Sequence, residues 1–219
     1  MRERLAAENI AVSMIGTSVK LLDATAIDID TLIAFARLAD SIGCPWLRVF
    51  DGGESGKSIP SDVLAKTREW LTRWQEARQC HQVQAELVVE THDALASLTN
   101  TEDVLRECSP IHLLWDAHHT WRAGEAVADF FERCGHAVRH IHVKDSINRP
   151  SVRKPFTYCS PGDGEFPWKE LGTALAAQRF AGCVSFEWER HWHPMLEPLP
   201  AVLPAYQRIL MTWQALGTS

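Results

Sequence analysis

Leu113-Leu114-Trp115-Asp116-Ala117-His118-His119 is an apolar run that ends abruptly in a carboxylate and two imidazoles. Three other stretches are built the same way: Leu87-Val88-Val89-Glu90-Thr91-His92, His140-Ile141-His142-Val143-Lys144-Asp145 and Val184-Ser185-Phe186-Glu187-Trp188-Glu189. A short apolar run bounded by polar residues, with a helical pattern after it, reads as a buried strand. Glu90 and Asp116 are 26 residues apart, and so are Asp116 and His142. That interval fits one strand, a loop, a helix and a return loop.

Working outward, the same alternation runs along the whole chain. Residues 2–8 read as the end of a helix and Asn9–Ile15 as a strand closing at Gly16. Apolar positions from Ile27 to Ile42 recur at helical spacing, and Pro45–Phe50 is the next strand, stopped by Asp51-Gly52-Gly53. Pro60-Ser61-Asp62 has helix-opening chemistry, and that helix runs to about Cys80. Helices around Thr101–Glu107 and Gly124–Cys134 separate the next three strands. A polar loop follows Asp145, a helix opens at Pro167-Trp168, and a last helix spans Ala205–Leu216. Six strands alternating with helices predict a parallel sheet with right-handed crossovers. The expected fold is α/β, of the (β/α) TIM-barrel type, as one domain over residues 1–219. A usual barrel has eight strands, so the expectation is an incomplete, N-terminally short barrel of about six parallel strands. Exposed sheet edges favour association, and a homodimer is expected.

Bulk properties narrow the function. The 219 residues carry a formal net charge of −6, which argues against nucleic-acid binding. No apolar run approaches a membrane span of about 20 residues, and the charged N-terminus is unlike a signal peptide. The six cysteines are widely spaced, with no Cys-x-x-Cys pair, as suits reduced thiols in a cytoplasmic protein.

In a parallel β/α barrel the chemistry sits at the carboxyl ends of the strands. Glu90, Asp116, His142 and Glu187 occupy four such ends. Three carboxylates and one imidazole suit a divalent metal, Mn²⁺ foremost, with Mg²⁺, Co²⁺ or Zn²⁺ as other occupants. His119, three residues after Asp116, reaches the same mouth, and His92 lies on the side of Glu90. Arg48 reads as a substrate contact or a structural ion pair. Lys144 reads as a cation for a substrate oxygen or as half of a solvated pair with Asp145. His140 reads as a strand histidine, His118 as a residue pointing away, and His191 and His193 as surface or subunit contacts. Pro161-Gly162-Asp163-Gly164 reads as a tight turn, and Trp115, Trp121 and Trp188 as walls of the site.

These pieces in this order resemble the sugar-phosphate isomerase/epimerase superfamily, the xylose-isomerase-like TIM barrels. The resemblance rests on Arg48-Val49-Phe50, Glu90-Thr91-His92, Asp116-Ala117-His118-His119, His142-Val143-Lys144-Asp145, Pro161–Gly164 with Pro167-Trp168, and Phe186–Glu189. It implies one divalent ion on Glu90, Asp116, His142 and Glu187, with Glu90 and Glu187 as acid and base around an enediolate. It implies that His119 orients a substrate oxygen. Arg48, His92, His119 and Lys144 are then the substrate-binding set for a small sugar, keto-sugar or polyol. Isomerase, epimerase and dehydratase chemistry all remain open, because Ala96 and the position of Arg149 depart from the keto-sugar 3-epimerase pattern. Asp145-Ser146-Ile147 lacks the Asp-x-His pair that a three-zinc endonuclease would need. The competing class is a non-catalytic or partner-dependent sugar-binding barrel subunit.

Overall fold

The computed structural model describes residues 1–217. In chain order its elements are α1 (Arg2–Ala7), β1 (Ile15–Lys20), α2 (Ala26–Ile42), β2 (Trp46–Phe50), α3 (Ser61–His81), β3 (Glu86–Glu90), α4 (Leu98–Glu107) and β4 (His112–Asp116). There follow α5 (Ala117–Arg122), α6 (Val127–Cys134), β5 (Val138–Val143), β6 (Asp145–Ile147), β7 (Thr157–Cys159), α7 (Trp168–Ala177), β8 (Cys183–Phe186) and α8 (Leu199–Gly217). Six strands form a parallel sheet in the order β1-β2-β3-β4-β5-β8. This is the TIM-barrel type of winding: each strand joins beside its predecessor, without the reversal of a doubly wound sheet. Contacts group the chain into two compact units. The first comprises Met1–Trp115 with His136–Arg139, and the second Asp116–Gly135 with the chain from His140 onward.

The first unit shows why the apolar runs become strands. Leu87, Val88, Val89, Leu113, Leu114 and Trp115 are all buried, as in a parallel sheet covered on both faces. Their registers pair Phe50 with Glu90 and Glu90 with Leu114. Helix α2 opens on a capping box in which the Asp28 carboxylate accepts from Thr25 N at 2.8 Å, and it closes at Gly43 with φ 77°. Those two signals bound the helix within one residue of its apolar stripe.

The first strand lies later than the sequence predicts. Residues 9–14 are irregular, and β1 starts at Ile15 and runs through Gly16. Gly16 is not a stop but a close approach: a Cβ there would sit 2.9 Å from Arg48 Nη2. Thr17 and Val19 point inward while Gly16, Ser18 and Lys20 are exposed, so this edge strand alternates and lacks the continuous apolar run of its neighbours.

In the second unit β5 and β8 pair His142 with Ser185 and Val143 with Phe186. The stretch after Asp145, expected as loop, contains an antiparallel ribbon of β6 and β7. Helix α5 directly after Asp116 is a further addition, and α8 begins six residues earlier than expected, with Pro204 inside it. Among the described residues no helix is long and apolar enough to cross a membrane.

Candidate metal centre

In the second unit, Asp116 ends β4 and is fully buried. Its two oxygens have separate tasks. Oδ1 caps α5, accepting from His118 N at 3.0 Å and His119 N at 2.9 Å. Oδ2 faces Lys144 Nζ at 2.7 Å and His119 Nδ1 at 3.4 Å. The same turn that places His119 therefore aims the carboxylate. His142 lies on β5 with its Nδ1 3.8 Å from Glu187 Oε2. Glu187 follows β8 directly, and its N–H still bonds to Val143 O at 3.0 Å, extending the strand ladder. Asp116, His142 and Glu187 each present a ligand atom within 4.8 Å of the others, a candidate metal-binding cluster.

Lys144 completes this arrangement. Its side chain is 1% exposed, and its ammonium contacts Asp116 Oδ2, Glu187 Oε2 and, at 3.3 Å, Glu189 Oε1. Burial disfavours the charge, yet Asp116 and Glu187 outweigh it and hold the ammonium protonated well above the ordinary lysine range. Burial pushes Asp116 upward, and the charges of His119, Lys144 and His142 reverse it, leaving the carboxyl well below the ordinary range. A pocket that already stabilises one buried cation against two carboxylates, with an imidazole alongside, fits a divalent ion in charge and in donor chemistry.

The first unit holds Glu90, Arg48 and His92. Glu90 ends β3, is buried, and meets Arg48 Nε at 3.2 Å. Arg48 also donates to Thr17 O at 3.0 Å and lies over the Phe50 ring at 3.9 Å. Of its two sequence readings, the structure displays the ion pair. His92 is partly exposed, with Nδ1 3.0 Å from Asp93 Oδ1. Asp51, read only as a strand stop, is a buried hub whose carboxylate accepts from the N–H groups of Gly52, His92, Asp93 and Leu95.

Several residues have roles that the sequence reading missed. His118 does not reach the surface. It is buried, ringed by Trp121, Phe156, Tyr158 and Phe166, and its Nε2 lies 2.7 Å from Ser146 Oγ. Arg122 Nε donates to that same Oγ at 2.9 Å, so the Ser146 hydroxyl ties the imidazole to the guanidinium. Burial pushes this imidazole down to about 3, and it stays neutral. Asp145 is not a solvated partner of Lys144. Its carboxylate accepts from Ser146, Gly162, Gly164 and Phe166 N–H groups and from Trp168 Nε1. Gly162 has φ 88°, consistent with the expected tight turn. His140 is the expected strand histidine, bonded to Ser185 Oγ at 2.7 Å. Trp115 is fully buried, and His193 is buried against Tyr158 at 5.1 Å. The signal for Asp145 was present in the sequence: an acidic residue followed by a Gly-rich turn 17 residues later invites an N–H cradle.

A comparison with curated protein sequences found no match. Solved structures do match. The probable 3-DHS dehydratase AsbF of Bacillus anthracis superposes with a TM-score of 0.78 at 17% identity, covering 95% of this chain and 79% of that one. An L-ribulose 3-epimerase gives 0.75 at 14% identity, covering 98% and 79%. The IOLI protein, solved with a binding zinc atom, gives 0.72 at 14%, covering 99% and 81%. At these identities the likeness is one of fold. A family model described as the xylose isomerase-like TIM barrel matches residues 1–209. With strand-end acids and imidazole on a sequentially ordered parallel sheet, and with that model spanning nearly its whole length, this chain belongs to the xylose isomerase-like TIM barrel family.

Proposed function

We propose that this protein is a divalent-metal-dependent isomerase or epimerase, or a dehydratase, acting on a small sugar, keto-sugar or polyol. The observation that carries the reading is the convergence of Asp116, His142 and Glu187 around buried positive charge. Glu90 is the fourth ligand. Its support is the register: Glu90 pairs with Leu114, two residues before Asp116 on the same strand, and alternation puts Leu114 and Asp116 on one face. Mn²⁺ is the preferred occupant, because the set is rich in hard oxygen donors.

A divalent ion held there supplies Lewis-acid polarisation of a hydroxy-carbonyl group. The chain supplies the proton chemistry. Glu90 and Glu187 act as base and acid: one carboxylate takes the carbon-bound proton, leaving an enediolate, and the other returns a proton. His119, held by Asp116, orients a substrate oxygen. Arg48 and His92 belong to the substrate-binding set of this reading. The folds of an L-ribulose 3-epimerase and a probable 3-DHS dehydratase support this chemical class, since one is named an epimerase and the other a dehydratase.

The test is elemental mass spectrometry of purified protein, before and after Mn²⁺ addition, followed by a screen of ketoses and inososes. About one ion per chain, lost in His142→Ala, with turnover abolished in Glu187→Gln, is expected. A protein that takes up no ion would instead be a non-catalytic sugar-binding barrel.

A further inference from the structure

Resting on that reading of the site, we propose that Lys144 is a built-in counter-cation of the metal centre. It shares two ligand oxygens with the ion and sets both the affinity of the site and the charge of ion it accepts. The argument begins with Asp116. Its Oδ1 is committed to the backbone N–H groups of His118 and His119, so only Oδ2 faces the centre, and that atom is 2.7 Å from Lys144 Nζ. Glu187 Oε2 faces His142 Nδ1 and the same ammonium. An ion drawing on Asp116 and Glu187 therefore meets a fixed positive charge on both of its carboxylate ligands in this unit.

Charge sharpens the point. Asp116, Glu187 and Glu189 surround one ammonium. Three negative charges against one positive leave two negative, which a divalent ion neutralises. A fully buried lysine is stable only while its carboxylates are in place. Glu189, which is not among the ligand residues, gives the ammonium a third carboxylate partner at 3.3 Å. Lys144 is thus a positioning residue: it holds Asp116 and Glu187 together before any ion arrives, and it weakens the binding of the ion that follows.

The experiment is calorimetric titration of the metal-stripped full chain with Mn²⁺ and separately with Tb³⁺, for wild type, Lys144→Met and Lys144→Gln. Circular dichroism confirms the fold of each, and the Gln variant keeps a hydrogen-bond donor for the carboxylates in case the Met variant does not fold. Removing one positive charge from contact distance should tighten Mn²⁺ by about tenfold or more, and Tb³⁺ by a larger factor. The gain in melting temperature on adding Mn²⁺ should grow in parallel. Folded variants that bind Mn²⁺ as wild type does, or more weakly, overturn the role of Lys144 while leaving the metal centre standing. Wild type and variants that all take up no ion overturn the centre itself, and the inference with it.

Discussion

Replacing Asp145 by Asn changes one atom in a side chain that accepts five N–H donors, and the structure tells which of them suffer. Oδ1 accepts from Ser146 N at 2.8 Å and Phe166 N at 3.0 Å. Oδ2 accepts from Gly162 N at 2.8 Å, Gly164 N at 3.2 Å and Trp168 Nε1 at 2.8 Å. An amide can present its oxygen to only one of these groups. With the NH₂ on the Oδ2 side, three donors face a donor; with the amide flipped, two buried backbone donors do. A hydrogen bond to a charged group is worth about 1.5–3 kcal/mol. Part of that returns through water at the exposed Gly162 turn, so the expected loss is about 3–5 kcal/mol. The pocket cannot relax by moving the turn closer, because a Cβ on Gly164 would already lie 2.7 Å from Ser146 O. Guanidinium unfolding followed by circular dichroism measures the loss, with the exposed Asp163→Asn as control. A loss below about 1 kcal/mol, or one equal to the control, would refute the cradle as the organiser of the turn from Pro161 to Trp168.

Two further outcomes follow from the electrostatics. Arg48→Met removes the guanidinium 3.2 Å from the buried Glu90 and should cost about 2–4 kcal/mol in urea unfolding; adding Glu90→Gln should recover most of that, because losing one partner of a buried ion pair is costly while losing both is not. Cys159 is half-buried, and burial, with Asp145 and Asp163 nearby, pushes its thiol up to about 12. Against a free thiol of about 8.5 it should alkylate at pH 8 at least about 100-fold more slowly, while the exposed Cys80 and Cys183 react first by peptide mass spectrometry.

Much of the site was legible because of where a parallel sheet puts its polar residues. Strands buried on both faces must be apolar throughout, so the first carboxylate or imidazole after each run marks the carboxyl end. That logic singled out Glu90, Asp116 and Glu187, and it preferred His142 to His140 as the imidazole nearer the carboxyl end of its strand. It failed at β1, where an edge strand alternates and Gly16 serves Arg48 instead of ending the run. It failed again at β6 and β7, three residues each, too short for any periodicity to register. Lys144 and Asp145 are adjacent in sequence and looked like one pair, yet alternation sends them apart, one to the carboxylates and the other to the turn.

The order of the six strands of the parallel sheet, and the acidic residues that end them, were therefore determined by the sequence alone, since both are written in burial, which periodicity encodes. The tertiary structure decided what those residues face. Lys144 finds Asp116 28 residues away and Glu187 43 away, and Asp116 divides its oxygens between a helix cap and the site. Hydrogen-bond direction and through-space charge depend on positions that no local pattern carries, and they turn a row of strand-end acids into a centre that holds positive charge.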